Sequence, residues 1–480
     1  MLTDLSMVLP IVLPLAAATL TFLLSRGAVA ISLVTALGIA AAVAALALEV
    51  FRRGPLTHTV GGWQAPLGIE LHADGLAAVM MIMAALVGAA VAVYAAGYFS
   101  DSPAEARYFW PLFLFLWSAM NVIFLSADVF NLYVGLELMG LSAVALLTLE
   151  GKRAALTAGM RYLLVSLSGS LIYLLGVALL YGTFGTLAVA ELGARMFPAP
   201  ATWAALALIT AGMVLKTALF PLHFWLPPAH SSAPSPVSAL LSALVIKGSF
   251  YLLVRLWFDV FPEVLTPGAG QLLGALGATA ILWGSALALF QKRLKLLVAY
   301  STVAQIGYLF LLFPLASAEA WSGGVYHALS HACAKAAMFM AAGTLSRSLG
   351  TDDLDALDGV SERFPISAYA FGLAGITLMG LPFSGGFTAK WLLLSAALES
   401  GQWWYAIVVL AGGLLAAGYL LRALARLLRP APAVKVVPEP ERGMEASALV
   451  LACVALSLGL VSAPLLTLVG VGAPLGELSP

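Results

Sequence analysis

The chain has 480 residues, of which 62% are hydrophobic and 10% charged, and its 23 Lys+Arg balance its 23 Asp+Glu. A mean hydropathy of +1.01 leaves too little polar surface to enclose a core of this size in water, so the composition predicts a polytopic membrane protein in a lipid bilayer. The balanced charge excludes nucleic acid as a partner, and two cysteines, Cys333 and Cys453, supply neither a disulfide framework nor a thiolate metal or iron–sulfur site.

Apolar segments long enough to cross ~30 Å of hydrocarbon recur along the chain and predict an all-α fold with about fourteen transmembrane helices. The first segment carries Asp4 and no early Lys or Arg, which favours a span over a signal peptide. After the second segment, the Gly-rich stretch 54–75 alternates in short runs and predicts a small hairpin over the outer face. The predicted spans lie near 3–24, 28–51, 74–98, 108–127, 129–150, 155–183, 202–226, 234–258, 269–290, 295–314, 319–346, 364–399, 402–427 and 445–472.

Basic residues gather in alternate loops, and this asymmetry predicts the orientation of the chain. Cytoplasmic loops are enriched in Lys and Arg, so the pattern predicts a multi-pass protein of the cell membrane with both termini on the outer side. The outer loops hold little beyond Arg52, Arg53 and Arg195. The loops predicted to be cytoplasmic hold Arg26, Arg107, Lys152, Arg153, Lys292, Arg293, Lys295, Arg347, Arg363, Arg422, Arg426, Arg429, Lys435 and Arg442.

A few ionisable residues remain inside the spans, where each costs at least ~2.5–3.5 kcal/mol and is therefore a candidate for function. They are Glu137, Arg161, Lys216, Lys247, His327, His331, Lys335 and Lys390. Glu137 is the one carboxylate near the middle of a span, and we expect Lys216 or Lys247 to be its partner. The alternatives are that Glu137 bends toward an interface, that Lys247 snorkels, and that Arg161 is an interfacial anchor.

His327, His331 and Lys335 follow one another at four-residue spacing and share one face of a helix. This pattern predicts a proton relay, with structural hydrogen bonding as the alternative. Metal binding is disfavoured, because no third ligand has suitable spacing and the lysine repels a cation. We therefore expect neither a metal nor a cofactor in this chain.

Two apolar segments are interrupted by proline or glycine and carry a lysine beside the interruption. The first is "AGMVLKTALFPLHFWLP" (211–227) with Lys216, and the second is "GITLMGLPFSGGFTAKWLLLSAALESG" (375–401) with Lys390. Paired broken helices separated by an odd number of spans are typical of inverted repeats around a transport site. The predicted division is 1–107 for helices 1–3 with the hairpin, 108–258 and 269–427 for two inverted five-helix repeats, and 445–480 for the last helix.

These motifs resemble those of the antiporter-like subunits shared by respiratory complex I, membrane-bound hydrogenases and multi-subunit Mrp-type Na+/H+ antiporters. The resemblance covers roughly residues 75–427. It rests on "NLYVGLELMGLSAVALL", "GMVLKTALFPLHFWLPPAHSSAPSPVSALLSALVIKGSFY", "KRLKLLVAYSTVAQIGYL", "HALSHACAKAAMFMAAG" and "GLPFSGGFTAK".

The resemblance implies fourteen helices and a central axis along which protons move parallel to the membrane. In that scheme Glu137 pairs with Lys216, Lys247 and the histidine helix form a bridge, and Lys390 ends the second half-channel. Arg161 occupies a position that is often basic, and His223 and His230 are further candidates for the proton path.

Three departures narrow the family type that the resemblance implies. Gln291 stands where relatives often carry Asp, Lys390 stands where one complex I chain type carries glutamate, and the chain ends soon after its last span. The expected type is the shorter antiporter subunit, a hydrogenase-associated relative, or the complex I chain of similar length.

The predicted function is proton translocation, with Na+/H+ antiport left open, by a subunit of a multi-subunit complex. A buried lysine can release its proton near neutral pH, and a carboxylate beside it favours the protonated form. The sequence has no nucleotide-binding loop, so the energy must come from electron transfer in partner membrane subunits or from an opposing ion gradient. The alternatives are a membrane-arm subunit of an NADH-quinone oxidoreductase or hydrogenase, a stand-alone solute transporter, and a structural subunit with decayed channels.

Overall fold

The computed structural model describes residues 2–65, 68–430, 440–476 and 478, and nearly all of its regular structure is α-helical. Lys435, predicted in a cytoplasmic loop, lies outside the described residues, as do residues 1, 66–67, 477 and 479–480 of the predicted terminal and hairpin segments. The helices are α1 (Leu2–Leu23), α2 (Ala28–Arg53), α3 (Gly75–Tyr98), α4 (Pro103–Leu125), α5 (Val129–Leu147), α6 (Arg153–Phe184), α7 (Val189–Arg195), α8 (Pro200–Thr217), α9 (Leu226–Ser232), α10 (Ser235–Leu240), α11 (Ile246–Arg255), α12 (Pro267–Leu289), α13 (Leu294–Phe310), α14 (Leu312–Leu315), α15 (Ala318–Leu349), α16 (Val360–Arg363), α17 (Pro365–Met379), α18 (Gly385–Glu399), α19 (Trp403–Leu427), α20 (Arg442–Ser457) and α21 (Ala463–Gly470).

Among the described residues, 11 helical stretches are long and apolar enough to cross a membrane, and they correspond to the first ten predicted spans and the thirteenth. The other three predicted spans differ for identifiable reasons. Helix α15 has 32 residues but carries the polar His and Lys row. The twelfth is divided into α17 and α18, each of 15 residues, and the last is divided into α20 and α21.

The hairpin predicted for 54–75 is confirmed, because β1 (Leu56–Thr59) pairs antiparallel with β2 (Glu70–Ala73). The chain then enters α3 through Asp74, whose side chain accepts a hydrogen bond from the Ala77 amide at 2.9 Å. The same carboxylate accepts two bonds from Arg255, at 2.6 and 2.8 Å. Burial raises the pKa of Asp74, but the Arg255 guanidinium more than offsets this and holds it well below its usual range. The hairpin is thereby fixed to the end of α11.

The helices at the centre of the bundle carry the middle part of the predicted site. The stretch Ser235–Val260 comprises α10, a π-helical turn (Leu241–Val245), α11 and a second π-helical turn (Leu256–Val260), and all of it is buried except Phe258 and Asp259, which are partly exposed. Helix α15 packs beside it and is buried over nearly all of its residues. By contrast, α1, α2 and α19 bury fewer than half of their residues and lie at the periphery. Lys247 on α11 and His327, His331 and Lys335 on α15 are thus shielded from the hydrocarbon.

Candidate functional site

Lys216 lies in the last turn of α8, and its side chain is 5% exposed. The ammonium donates to Oγ of Ser170 at 2.6 Å, and to Oγ and the backbone oxygen of Ser166 at 3.0 and 3.2 Å. Its stem crosses α6 at Gly169, where a Cβ would stand 2.7 Å from Cγ of the lysine. Three oxygens of α6 therefore satisfy this ammonium.

Glu137 lies on α5, half-buried, and its Oε1 is buried with no hydrogen-bond partner among the described residues. One turn further along α5, the position of a Cβ on Gly140 is 4.0 Å from Nζ of Lys216. The lysine therefore faces α5 close to Glu137. The ion pair predicted between Glu137 and Lys216 is nevertheless not formed in this structure, because the ammonium points to the serines of α6.

Both predicted helix interruptions are present, and each lies beside a lysine. Helix α8 ends where Ala218 takes a left-handed conformation, with φ of 58°. Helix α17 ends at Met379, and Nζ of Lys390 donates to the terminal carbonyls of Leu378 and Met379 at 2.7 and 3.2 Å. The carbonyl end of a helix carries partial negative charge and lacks internal partners, so it is a favourable place for an ammonium. The ring of Tyr308 lies 4.6 Å from the same ammonium.

Lys247 is fully buried and sits just after the π-helical turn Leu241–Val245. Its Nζ donates to the backbone oxygen of Ser242 at 2.6 Å and lies 2.7 Å from Nδ1 of His331. A π-helical turn alters the regular pairing of backbone groups, and such turns are frequent at functional sites. Here the turn presents one of its carbonyls to the lysine. The lysine and the histidine share a hydrogen bond whose proton either partner can carry.

From His331 the contacts continue toward Lys390. The rings of His331 and His327 are stacked with centroids 5.7 Å apart, and Nε2 of His327 lies 3.2 Å from the backbone oxygen of Gln305. The side-chain amide of Gln305 donates at 3.2 Å to the backbone oxygen of Leu378, which Lys390 also binds. These contacts connect, in order, Lys247, His331, His327, Gln305, Leu378 and Lys390. We call this series, with Lys216 before it, the buried row.

Lys335 forms a branch of the buried row. It is fully buried and donates to the backbone oxygen of Val298 at 2.8 Å and to Oγ of Ser301. The Thr302 hydroxyl donates to the same carbonyl at 3.1 Å and lies 2.9 Å from Oγ of Ser242, in the π-helical turn below Lys247. Hydroxyl groups thus join Lys335 to Lys247. On the other side of Lys247, the Thr217 hydroxyl donates to the Ser249 hydroxyl at 2.9 Å. Thr217 follows Lys216 in the chain, and Ser249 lies two residues after Lys247.

Several polar atoms along the buried row are buried with no hydrogen-bond partner among the described residues. Buried polar groups in proteins normally bond to protein or to ordered water. A concentration of such atoms in one place therefore marks a region suited to water. They are Nδ1 of His327, Nε2 of His331, Oγ of Ser330, Oε1 of Gln305, Oγ1 of Thr377 and the hydroxyl of Tyr419.

The three remaining candidates lie apart from the buried row or beside it. Arg161 is exposed, in a groove near Arg153, so the anchor interpretation fits its position better than a place in the row. His223 is half-buried and stacks on Phe220 with ring centroids 5.7 Å apart. His230 is fully buried next to α15, and neither of its ring nitrogens has a partner among the described residues.

The sequence reasoning missed the neutral partners that complete the site. Ser166 and Ser170 are four residues apart in an apolar helix, and Gln305 is an isolated amide in another. Polar side chains of this kind in a span normally face the interior of a bundle, so their spacing was an available signal. In the described part of the chain, no group of three His, Cys, Asp or Glu side chains is placed to hold a metal ion.

A helical membrane bundle with buried lysines at two interrupted helices, and with a further lysine and two histidines at its centre, defines an antiporter-like membrane protein. Residues 126–416 match the family described as "NADH:quinone oxidoreductase/Mrp antiporter, TM", and residues 59–109 match "NADH-Ubiquinone oxidoreductase (complex I), chain 5 N-terminus". The chain belongs to this NADH:quinone oxidoreductase/Mrp antiporter family, which confirms the resemblance drawn from its motifs.

Similar proteins extend over most of the chain. NADH-quinone oxidoreductase subunit N of Desulforudis audaxviator is 37% identical over 432 residues, which cover 87% of this chain and 85% of that protein. A Na(+)/H(+) antiporter subunit of Alkalihalophilus pseudofirmus is 32% identical over 374 residues, 77% of this chain and 75% of that one. A chain of the membrane-bound sulfane sulfur reductase, an archaeal respiratory membrane complex, superimposes with a TM-score of 0.92 at 28% identity, covering 99% and 98%.

Proposed function

We propose that the chain is the proton-translocating subunit of a larger ion-pumping membrane complex, and that protons move along the buried row between Lys216 and Lys390. The observation that carries the proposal is the unbroken series of contacts from Lys247 through two histidines and Gln305 to the carbonyl that also binds Lys390. Purely structural packing needs no such chain of titratable groups across the bundle centre.

The chemistry of the row suits transfer of single protons. The oxygen acceptors that hold Lys216 and Lys390 are all neutral. A charge in a low-dielectric interior is costly without a counter-ion. Two adjacent groups such as Lys247 and His331 are therefore not both positively charged, and one extra proton is shared by the pair. A proton that arrives at one end therefore favours departure from the next site.

Glu137 supplies the switch in this proposal. Its unpartnered oxygen and the serine-bound Lys216 represent one arrangement, in which carboxylate and ammonium are apart. Movement of Glu137 toward Lys216 would stabilise the protonated lysine, and withdrawal would release the proton into the row. The coupling step is thus a change of distance between two side chains.

The energy source lies in partner subunits, since this step consumes no substrate. The relatives' names suggest two forms of coupling: electron transfer, as in NADH-quinone oxidoreductase, or opposing Na+ movement, as in Na(+)/H(+) antiporters. The identity is greater to the NADH-quinone oxidoreductase chain than to the antiporter chain, and this favours coupling to electron transfer. A membrane-arm subunit of such an oxidoreductase is therefore the second candidate function. We further propose that both termini lie on the outer side, and that 108–258 and 269–427 are inverted repeats, supported by one interrupted helix in each.

The test uses the intact complex, purified in mild detergent and reconstituted in sealed vesicles. Co-purifying subunits identify the complex type, and a pH-sensitive dye inside the vesicles reports coupled proton movement. Lys247→Ala is expected to abolish this movement with normal subunit abundance, whereas Lys292→Ala, at an exposed loop position, leaves it unchanged. Wild-type proton movement in Lys247→Ala would exclude transport through the row.

A further inference from the structure

Helix α15 continues beyond the buried row to the membrane surface. Phe339, Gly343 and Arg347 follow Lys335 at four-residue spacing and form a strip that turns by about 40° around the helix at each step. The distance from Lys335 to Arg347 along the helix axis is about 18 Å at ~1.5 Å per residue. Arg347 lies two residues before the end of α15. Arg347 is 36% exposed and lies 3.5 Å from Asp101, which offsets its charge. The strip thus connects Lys335 with solvent-exposed charge at one membrane face.

Two tyrosines of α3 lie along this strip. Tyr94 and Tyr98 are one turn apart with their rings 5.9 Å from each other, and the guanidinium of Arg347 lies 4.8 Å from the centre of the Tyr98 ring. The Tyr94 hydroxyl, fully buried, lies 3.3 Å from Oγ1 of Thr344. The Tyr98 ring therefore lies at the surface end of the strip, and the Tyr94 hydroxyl lies against the strip further inward.

The hydroxyls of Tyr94 and Ser235 converge at Gly343. A Cβ at this glycine would stand 2.9 Å from the Tyr94 hydroxyl and 2.3 Å from Oγ of Ser235, which begins α10. Both hydroxyls therefore lie against the same point of the α15 backbone, which only a residue without a side chain leaves open. Ser235 follows His230 by five residues, and α9, which carries His230, ends between them.

His230 occupies the interval between Gly343 and Lys335. Its ring stacks on Phe339 with centroids 4.9 Å apart. It is 0% exposed, and both ring nitrogens lack a partner among the described residues. An imidazole carries a donor and an acceptor, so burial with neither satisfied by protein points to water at this position.

We infer that Tyr98, Tyr94, Ser235 and His230 form a proton access path between the Arg347 face of the membrane and Lys335. The path goes beyond the proposed function, because protons would enter the row at its middle and not through Lys216. It rests on the proposed function in one respect, namely that Lys335 belongs to the row that carries protons. Hydroxyl and neutral imidazole groups donate and accept at once, so a proton passes between them and bridging water without net change in any group. Two cavities at this face, lined in part by Thr344, Tyr98 and Arg347, connect the path to solvent.

Water access is tested by radiolytic hydroxyl labelling of the intact complex, read by mass spectrometry. Phe339 and Phe113 are a matched pair, both at most 1% exposed, and Phe113 packs on the rings of Phe109, Trp110 and Trp117, none of which belongs to the path. We expect rapid labelling of Phe339 and none of Phe113. Equal, slow labelling of both would overturn the path whether or not the complex pumps protons, so its failure is distinct from that of the proposed function.

Proton transfer is tested with Tyr94→Phe combined with Ser235→Ala, which removes two hydroxyls and little volume. Proton uptake from the Arg347 face is expected to fall about tenfold, less than the ~10²–10⁴ of a direct acid–base group, because water can partly replace them. The control is Tyr173→Phe, which removes another buried hydroxyl, bonded to the Val129 carbonyl at 2.8 Å and remote from the path. Equal uptake rates in the double variant and the control would overturn the proposal.

Discussion

Replacement of Lys216 by arginine separates proton transfer from charge. Arginine keeps the positive charge and can donate to the oxygens of Ser166 and Ser170 that hold the ammonium at 2.6–3.2 Å. It cannot release its proton in the working pH range. Because a positioned proton carrier contributes ~10²–10⁴ to a rate, we expect Lys216→Arg to lose coupled transport almost as fully as Lys216→Ala. The alanine variant should also lose about 1–3 kcal/mol of stability, since it leaves the buried serine oxygens without their donor.

Coupled proton translocation is measured in matched vesicles at equal subunit abundance, with thermal unfolding followed in detergent. Lys295→Arg is the control, because this half-buried ammonium donates to the Ala233 carbonyl at 2.8 Å outside the row. The control should translocate normally. Near-normal translocation by Lys216→Arg would refute the carrier role and leave Lys216 as a fixed charge.

Three further outcomes are expected. Glu137→Ala should abolish coupled transport at normal abundance and Glu137→Asp should keep part of it, as measured by dye response; full transport by the alanine variant would contradict the switch. Joint replacement of His327 and His331 by alanine should slow proton flux more than either single change, without altering the apparent affinity for the driving substrate; stoichiometric zinc at this helix would favour a ligand role. Asp74→Asn should destabilise the protein by less than the ~3–5 kcal/mol of an unpaired buried charge, because it removes one of the two carboxylates that pair with buried Arg255 and leaves Asp259. Because the pKa of Asp74 is held low, its contribution is present above the unfolded value of ~4 and lost only in stronger acid, so the loss in melting temperature should be constant between about pH 5 and 8.

The sequence located the titratable groups of the row because charges inside apolar spans are few. Lys216, Lys247 and Lys390 stand out against apolar neighbours, and proline and glycine mark the interruptions beside two of them. The hairpin and most spans followed from periodicity and length in the same way. The sequence alone therefore predicts which ionisable residues are buried and roughly where each lies along its span.

The partners of those charges were less accessible. Lys390 binds carbonyls at a helix end, and every residue carries a carbonyl, so composition does not reveal which ones are free. Whether Lys216 meets Glu137 or the serines depends on the rotation of α5 and α6 about their axes, which tertiary packing decides. The division of the last span falls at Gly459, with Pro464 in the first turn of α21, so a signal for this break was present in the sequence and the prediction of a single span passed over it.

The π-helical turn at Leu241–Val245 gives the row a place where it can be interrupted locally. Such a turn holds one residue more than a regular helical turn. If it became regular α-helix, the residues after it would turn by about 100° and shift by about 1.5 Å along the axis. Lys247 would then leave both the Ser242 carbonyl and His331, and the two halves of the row would lose contact while the surrounding helices kept their positions. The contact of Lys247 with the rest of the row thus depends on the winding of a single turn.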